Sequence, residues 1–552
     1  MRRTHSYLLL EDANGAIKEA ERGLKEHPGD RGLEIAHIKA VANLGSEKRV
    51  LPLFWEFVKK REKDPQLNEL LEEISWGVLR KASQSTQYTI RLYSLLGAYL
   101  THDARAVKIM QEMMRESNAI LRANAVRMAS TYLDGPLEEE MVRLIATEKV
   151  WFVRMELIGA IGRMRLKEKA HLLEDILTKD SLLEEKGAAI QALVQMYEGI
   201  DLEKIFYMAA SDRAAFRQVA ANAALFFDIK EAKDVLLPLL YDPRPDVRVS
   251  VLNALGLLFH TDMGKEELKA LLQHSLADLD PAVAITATWI LMLCDPTASA
   301  EYFENWLTHE DIGIRLMAAS ALAKTGIAGA DFALKMFEAS KEPLVRINLA
   351  VGLIGHKKAT KKCLDEIYSF LHKEKKQIMV AADKNPLFPI IAHSQVGVRE
   401  DIPNFPEAVD QMSRLQLVSF LAIMQDPRAQ PALKEFLLQK NWGITGYAAL
   451  VLLKEGDEDA LAIIRNLLKD SHPQVRFQAA IALAMYGKDE SALLTLEEAY
   501  PKADHSQKIT ILEAMGKIGK VESCLFLAKA LEEPFEILRT VAASSIIQCL
   551  YR

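Results

Sequence analysis

No apolar run in this 552-residue chain approaches the 18 or so residues that a membrane-crossing helix needs, so no membrane span is expected. The start, Met1 to Asp12, begins basic but holds only a short apolar stretch at Tyr7–Leu10, too brief for the core of a secretory signal. Cysteine is scarce. Cys294, Cys363, Cys524 and Cys549 lie far apart with no CxxC spacing, which predicts core thiols in a reducing, cytoplasmic setting and excludes a disulfide framework or zinc site. Positive charge is not in excess either. Lys and Arg number 69 against 76 acids, for a net charge of −7, and phosphate binding along a face calls for the opposite balance. The one crowded basic region, Lys357-Lys358 through Lys361-Lys362 to Lys375-Lys376, reads as a solvated helix face. There is no GxxxxGK[ST], GxGxxG, GxSxG or HExxH. No catalytic, cofactor-binding or metal-binding residue is therefore assigned.

What the chain does have is a beat. A basic residue returns about every 31 positions: Arg91, Arg122, Arg154, Lys186, Arg217 and Arg248, then Arg315, Arg346, Arg414, Arg476, Lys508 and Arg539. Ala284, Gln377 and Thr445 fill the skipped beats. A period of 20 to 50 residues marks a solenoid, whose units bury their apolar faces only against neighbours. That also explains how so long a chain can be 50 % hydrophobic without one oversized globular core.

The clearest unit runs Asp242-Pro243-Arg244-Pro245-Asp246-Val247-Arg248, with Val251, Ala254 and Leu255 after it; Glu342-Pro343-Leu344-Val345-Arg346 and Ser471-His472-Pro473-Gln474-Val475-Arg476 repeat the theme. An acid or Ser with Pro stops one helix and caps the next. The Val before the basic residue points inward, and small or apolar residues at three, four, six and seven beyond it make one helical face. This pattern resembles the HEAT-repeat family, in particular its short bacterial PBS-lyase HEAT-like form, over roughly residues 67–552. The resemblance implies an all-α superhelix of about 15 two-helix repeats. It also implies that the basic residues bond an acid or carbonyl of a neighbouring inter-helix turn, as a structural ladder, and that second helices line a concave side. HEAT-like hydroxylases hold two irons with several His-Glu pairs, whereas this chain has only His309-Glu310, which reads as a helix cap. HEAT-like DNA glycosylases need a basic face, which the charge does not supply.

Two regions break the rhythm. In 1–65, Gly15-Ala16-Ile17, Ala20, Leu24 and Pro28-Gly29-Asp30 resemble the second helix and closing Pro of a tetratricopeptide repeat, which predicts a helical cap ahead of an array over 66–382. The segment 383–410 carries four prolines and predicts an irregular loop, with the array resuming over 411–552. Long loops in repeat proteins are often functional, so this one is an interaction loop, with Phe388 and Arg399 as its contact residues, or a tolerated insertion.

Offsets of two and five beyond each basic residue should face the concave groove. There Trp289, Met317, Val351, Tyr447, Leu450 and Ile481 form a more apolar stretch. Such a stripe is a candidate partner site, or else packs on itself inside a tight superhelix. The function expected is a non-enzymatic scaffold or adaptor for a protein or extended peptide. A chromophore-lyase-like or other modifying enzyme is the alternative, and nucleic-acid binding a weaker one.

Overall fold

The computed structural model describes residues 2–10, 12–132, 135–179, 181–197, 202–258, 265–381, 384–397, 405–438 and 458–551. They divide into two compact units, Met1–Met164 with Ile464–Arg552, and Arg165–Ile463. Both are α-α solenoids. Apart from one two-stranded sheet in the second unit, the regular structure of the described residues is helical.

Helices alternate in kind. A first helix such as Ala104–Met114 buries Ala106, Ile109, Met110, Met113 and Met114, the i, i+3, i+4, i+7 stripe of an element with one face in water. A second helix such as Pro245–Leu258 buries every residue from Val249 to Gly256, so it is covered on all sides. Each second helix takes its name from the residue at the repeated position. Acid caps and prolines start many of them. Asp280 accepts from the Ala282 amide ahead of Pro281, and Asp311 from Ile314.

In the first unit, helices Ala13–Glu26, Arg31–Asn43 and Glu47–Lys60 lead into Leu67–Ser83. A Cβ on Gly77 would sit 2.0 Å from the Ala42 carbonyl oxygen, so only glycine permits this approach. The Arg539 helix, Glu536–Tyr551, packs against Leu67–Ser83 and against the Arg91 helix, Tyr88–Leu100. It buries an unbroken run from Thr540 to Cys549 in doing so. The last repeat of the chain thus lies beside the first.

In the second unit the Lys186, Arg217, Arg248, Ala284, Arg315 and Arg346 helices follow one another as neighbours. The helix Thr360–Lys373 pairs with the Arg414 helix, Phe405–Ile423. Gln377 therefore heads no second helix, contrary to its place in the beat. The residues between are an insertion within one inter-helix turn. Of the stretch expected to be irregular, residues 390–393 are the second strand of an antiparallel hairpin, and Phe405 already begins a helix. Strand β1, Ile378–Ala381, pairs with β2, Ile390–His393, in the register Val380 to Ile391.

Candidate functional site: a polar ladder and a hairpin on the second helices

At the repeated position one bond recurs. Arg122, Arg154, Arg217, Arg248, Arg315, Arg346, Arg476 and Arg539 each donate to the carbonyl six residues earlier, at 2.6 to 3.3 Å. That carbonyl lies in the turn where the preceding first helix has ended, so it has no helical partner of its own. Several cations at the repeated position also reach an acid in the next turn along. Arg248 forks onto Asp278 with two bonds of 2.8 Å, Arg122 grips Glu148, Arg217 Asp242, Arg91 Glu116 and Lys508 Glu533. Burial pushes the Glu148 carboxyl up, but Arg122 and the Val150 amide more than offset it and hold it below the usual range. Arg414 reaches the Glu374 and Lys376 carbonyls instead, and so closes its turn across the insertion. Lys186 holds the corresponding place in Leu183–Tyr197. The acid that meets Arg539 is Glu47, buried in the first unit and shared with Lys81 at 2.8 Å.

The second-helix face of the second unit is covered by the hairpin. Asn385, from the turn between the strands, exchanges two bonds of 3.0 Å with Asn253 of the Arg248 helix, and donates to the Thr286 hydroxyl of the Ala284 helix at 2.9 Å. The Ser320 hydroxyl of the Arg315 helix donates to the Pro389 carbonyl at 2.8 Å. Asn348 of the Arg346 helix reads both backbone groups of Ile391. Its amide nitrogen donates to the carbonyl and its oxygen accepts from the N–H, each at 2.9 Å. The far edge of the hairpin is met by the Arg414 helix, where Asp410 and Ser413 accept from the Ile378 and Val380 amides. Neither strand edge is left as a bare template.

This arrangement places the sequence candidates. Trp289 lies edge-on to Phe388 with ring centroids 5.4 Å apart, and its indole N–H donates to the Lys324 carbonyl. A Cβ on Gly256 would fall 2.2 Å from the Trp289 ring, so that glycine makes the slot. Trp289 is 5 % exposed and Phe388 2 %. The expectation that both offer open contact surface is corrected: they are buried against each other. Met317 and Val351 are half-buried on the same face. Ile481 is buried in the first unit. Tyr447, Leu450, Arg399 and Thr445 lie outside the described residues. Sequence reasoning named the offsets but passed over Thr286 and Asn348. Their signal was a polar residue two beyond the beat in an otherwise apolar helix.

The described residues include no group of three or more His, Cys, Asp or Glu able to hold a metal, and no helix long and apolar enough to cross a membrane. The four cysteines are free thiols, and burial pushes that of Cys363 up to about 12. At His309-Glu310-Asp311, Asp311 caps the Arg315 helix while His309 and Glu310 offer their carbonyls to Arg315.

A stack of paired helices, bonded turn to turn through one repeated cation, defines an α-solenoid of short two-helix units. Residues 441–508 match the family model described as HEAT repeats. The chain therefore carries HEAT repeats over that stretch. Among curated proteins none matches it by sequence. Among solved structures, it is similar to the complex of CpcE and CpcF of phycocyanin lyase from Nostoc sp. PCC7120, at 18 % identity over 56 % of this chain and 96 % of that one, with a TM-score of 0.24. It is similar to Kap121p at 12 % identity, over 96 % and 76 % of the chains, TM-score 0.34, and to the UNC-45 chaperone at 13 %, over 99 % and 76 %, TM-score 0.35. Scores this low carry no functional argument.

Proposed function

We propose that the protein is a non-enzymatic scaffold that binds a protein or an extended peptide on its second helices. One observation carries this reading. The second-helix face of the second unit already holds an extended segment, and holds it through side-chain bonds to main-chain groups at Pro389 and Ile391. Main-chain bonding supplies affinity for an extended chain, and side-chain pockets supply selectivity. The net charge of −7 argues against a nucleic acid as main partner.

The test is affinity capture from the native organism, followed by binding of each captured protein to purified wild type and to Met317→Glu with Val351→Glu. A true partner should bind the doubly charged variant at least ten times more weakly, with helicity unchanged. Equal binding by both forms sinks the reading. Retention on heparin with a steep salt dependence would favour nucleic acid instead, and an absorbing group retained through purification would favour the lyase-like alternative.

A further inference from the structure

Resting on that reading, we infer that the hairpin is the resident occupant of a peptide groove, and that the groove accepts in its place a partner segment of the class Asn-x-x-Phe-Pro-x-Ile. The residues that define the class are those the second helices grip. Asn385 fits the amide and hydroxyl pair Asn253 and Thr286. Phe388 fills the slot against Trp289. Pro389 and Ile391 present the main-chain groups that Ser320 and Asn348 read.

Three features set this apart from ordinary packing. First, Asn253, Thr286, Ser320 and Asn348 are all buried, at 8, 0, 4 and 4 % exposure. Buried polar groups are costly without partners, and a face required only to pack would be served by apolar side chains, as the neighbouring positions are. Second, all three bonds between the segment and the Ser320 and Asn348 side chains end on main-chain groups, so the site is not tied to one covalent context. Third, the hairpin is an insertion in a turn that closes without it. Arg414 bonds the turn carbonyls at Glu374 and Lys376 directly, and Thr360–Lys373 packs on Phe405–Ile423. The hairpin can therefore leave while the repeat stack stays whole. A resident occupant weakens a competing ligand by the fraction of time the groove is open, and weakening the resident removes that tax.

The probe is a fluorescein-labelled synthetic peptide copying Lys384–Ser394. It is titrated against wild type, against Asn385→Ala with Phe388→Ala, and against the same variant carrying Asn348→Ala and Trp289→Ala. The resident-weakened variant should bind the copy at least tenfold more tightly than wild type, and the added groove substitutions should abolish the gain. A copy with Asn and Phe replaced by Ala should not bind. If the resident-weakened variant keeps its helicity and binds no better than wild type, the inference is overturned. If it does not fold, hydrogen exchange of wild type at millimolar copy peptide decides. Deprotection of 385–393 with the Ala284 and Arg346 helices still protected supports the exchange of occupants; an unchanged hairpin overturns it. Failure here together with the expected loss of captured partner in Met317→Glu, Val351→Glu would leave the scaffold standing and make the hairpin a fixed part of it.

Discussion

The two units meet the same need by different means. A repeat stack leaves groups at its ends and on its second-helix face that want a neighbour. In the first unit the neighbour comes from the other end of the chain. The Arg539 helix lies against Tyr88–Leu100, Arg539 finds its acid in Glu47, Trp55 donates to Glu532 and Tyr551 to Glu72. In the second unit the neighbour is an insertion, a hairpin whose Asn385 and Ile391 satisfy Asn253 and Asn348. The first solution joins two repeats and builds the stack. The second covers a face without joining two repeats. The contrast teaches that closure by a repeat is structural, while closure by an inserted strand leaves a site that another strand fits.

That comparison can be broken most severely in the first unit. Deleting Glu536–Tyr551 removes Leu538, Val541, Ile546 and Ile547, all nearly fully buried. At about 1.5–3 kcal/mol for each such side chain the loss exceeds about 5 kcal/mol. Helices Leu67–Ser83 and Tyr88–Leu100, distant in sequence, should lose hydrogen-exchange protection, while Arg165–Ile463 keeps its own. Protection retained in the early helices would show that the junction stabilises nothing.

The next largest effect belongs to the second unit. Trp289→Ala empties the slot between Gly256 and Phe388, and large-to-small changes of this kind cost about 3–5 kcal/mol. Limited proteolysis, which should spare 385–393 in wild type, should then cut there, leaving the helices intact. Equal resistance of both forms would separate Phe388 docking from hairpin protection.

The ladder offers a smaller test. Arg248→Ala strands the Asp242 carbonyl and leaves the Asp278 carboxylate without its cation, held only by the Asp280 amide, a loss of about 1–3 kcal/mol. The melting temperature should fall, and Asp278→Ala on top should cost less than it does alone, because the pair couples. Strict additivity would refute the bond as a stabilising contact.

Acid provides the gentlest perturbation. Burial raises Glu47, but its bonds to Lys81 and its own amide, with Arg539 nearby, leave the carboxyl below the ordinary value; Glu148 is held low in the same way by Arg122. A carboxyl depressed on folding contributes stability that is whole above its unfolded value and is lost as pH falls through the folded one. Melting temperature should therefore drop progressively below about pH 4.3, the ordinary Glu value, and Glu47→Gln with Glu148→Gln should be less stable at neutral pH and flatter in acid. An unflattened profile would assign the acid transition to other groups.

Much of this was open to reading in the chain. The beat located the second helices because cap, inward Val and ladder cation are all local to one turn, and the turn repeats. Gln377 misled because spacing cannot tell a skipped helix from an inserted hairpin of similar length. The hairpin itself had a faint signal, the β-branched pairs at Ile378-Met379-Val380 and Ile390-Ile391 around Asn385-Pro386 and Pro389. The prolines drew attention to an irregular loop and away from the strands on either side.

What the sequence determined by itself is the solenoid: helix kind, helix polarity and the repeated cation follow from contacts within about one period, and those are written in adjacent residues. What only the tertiary structure decided is what meets what at long range. Asn253 and Asn385 are 132 residues apart, and Glu47 and Arg539 are 492 apart. Such meetings join residues from distant repeats, and no single repeat encodes its distant partner, so whether Trp289 faced water or Phe388 could be read only once the stack was assembled.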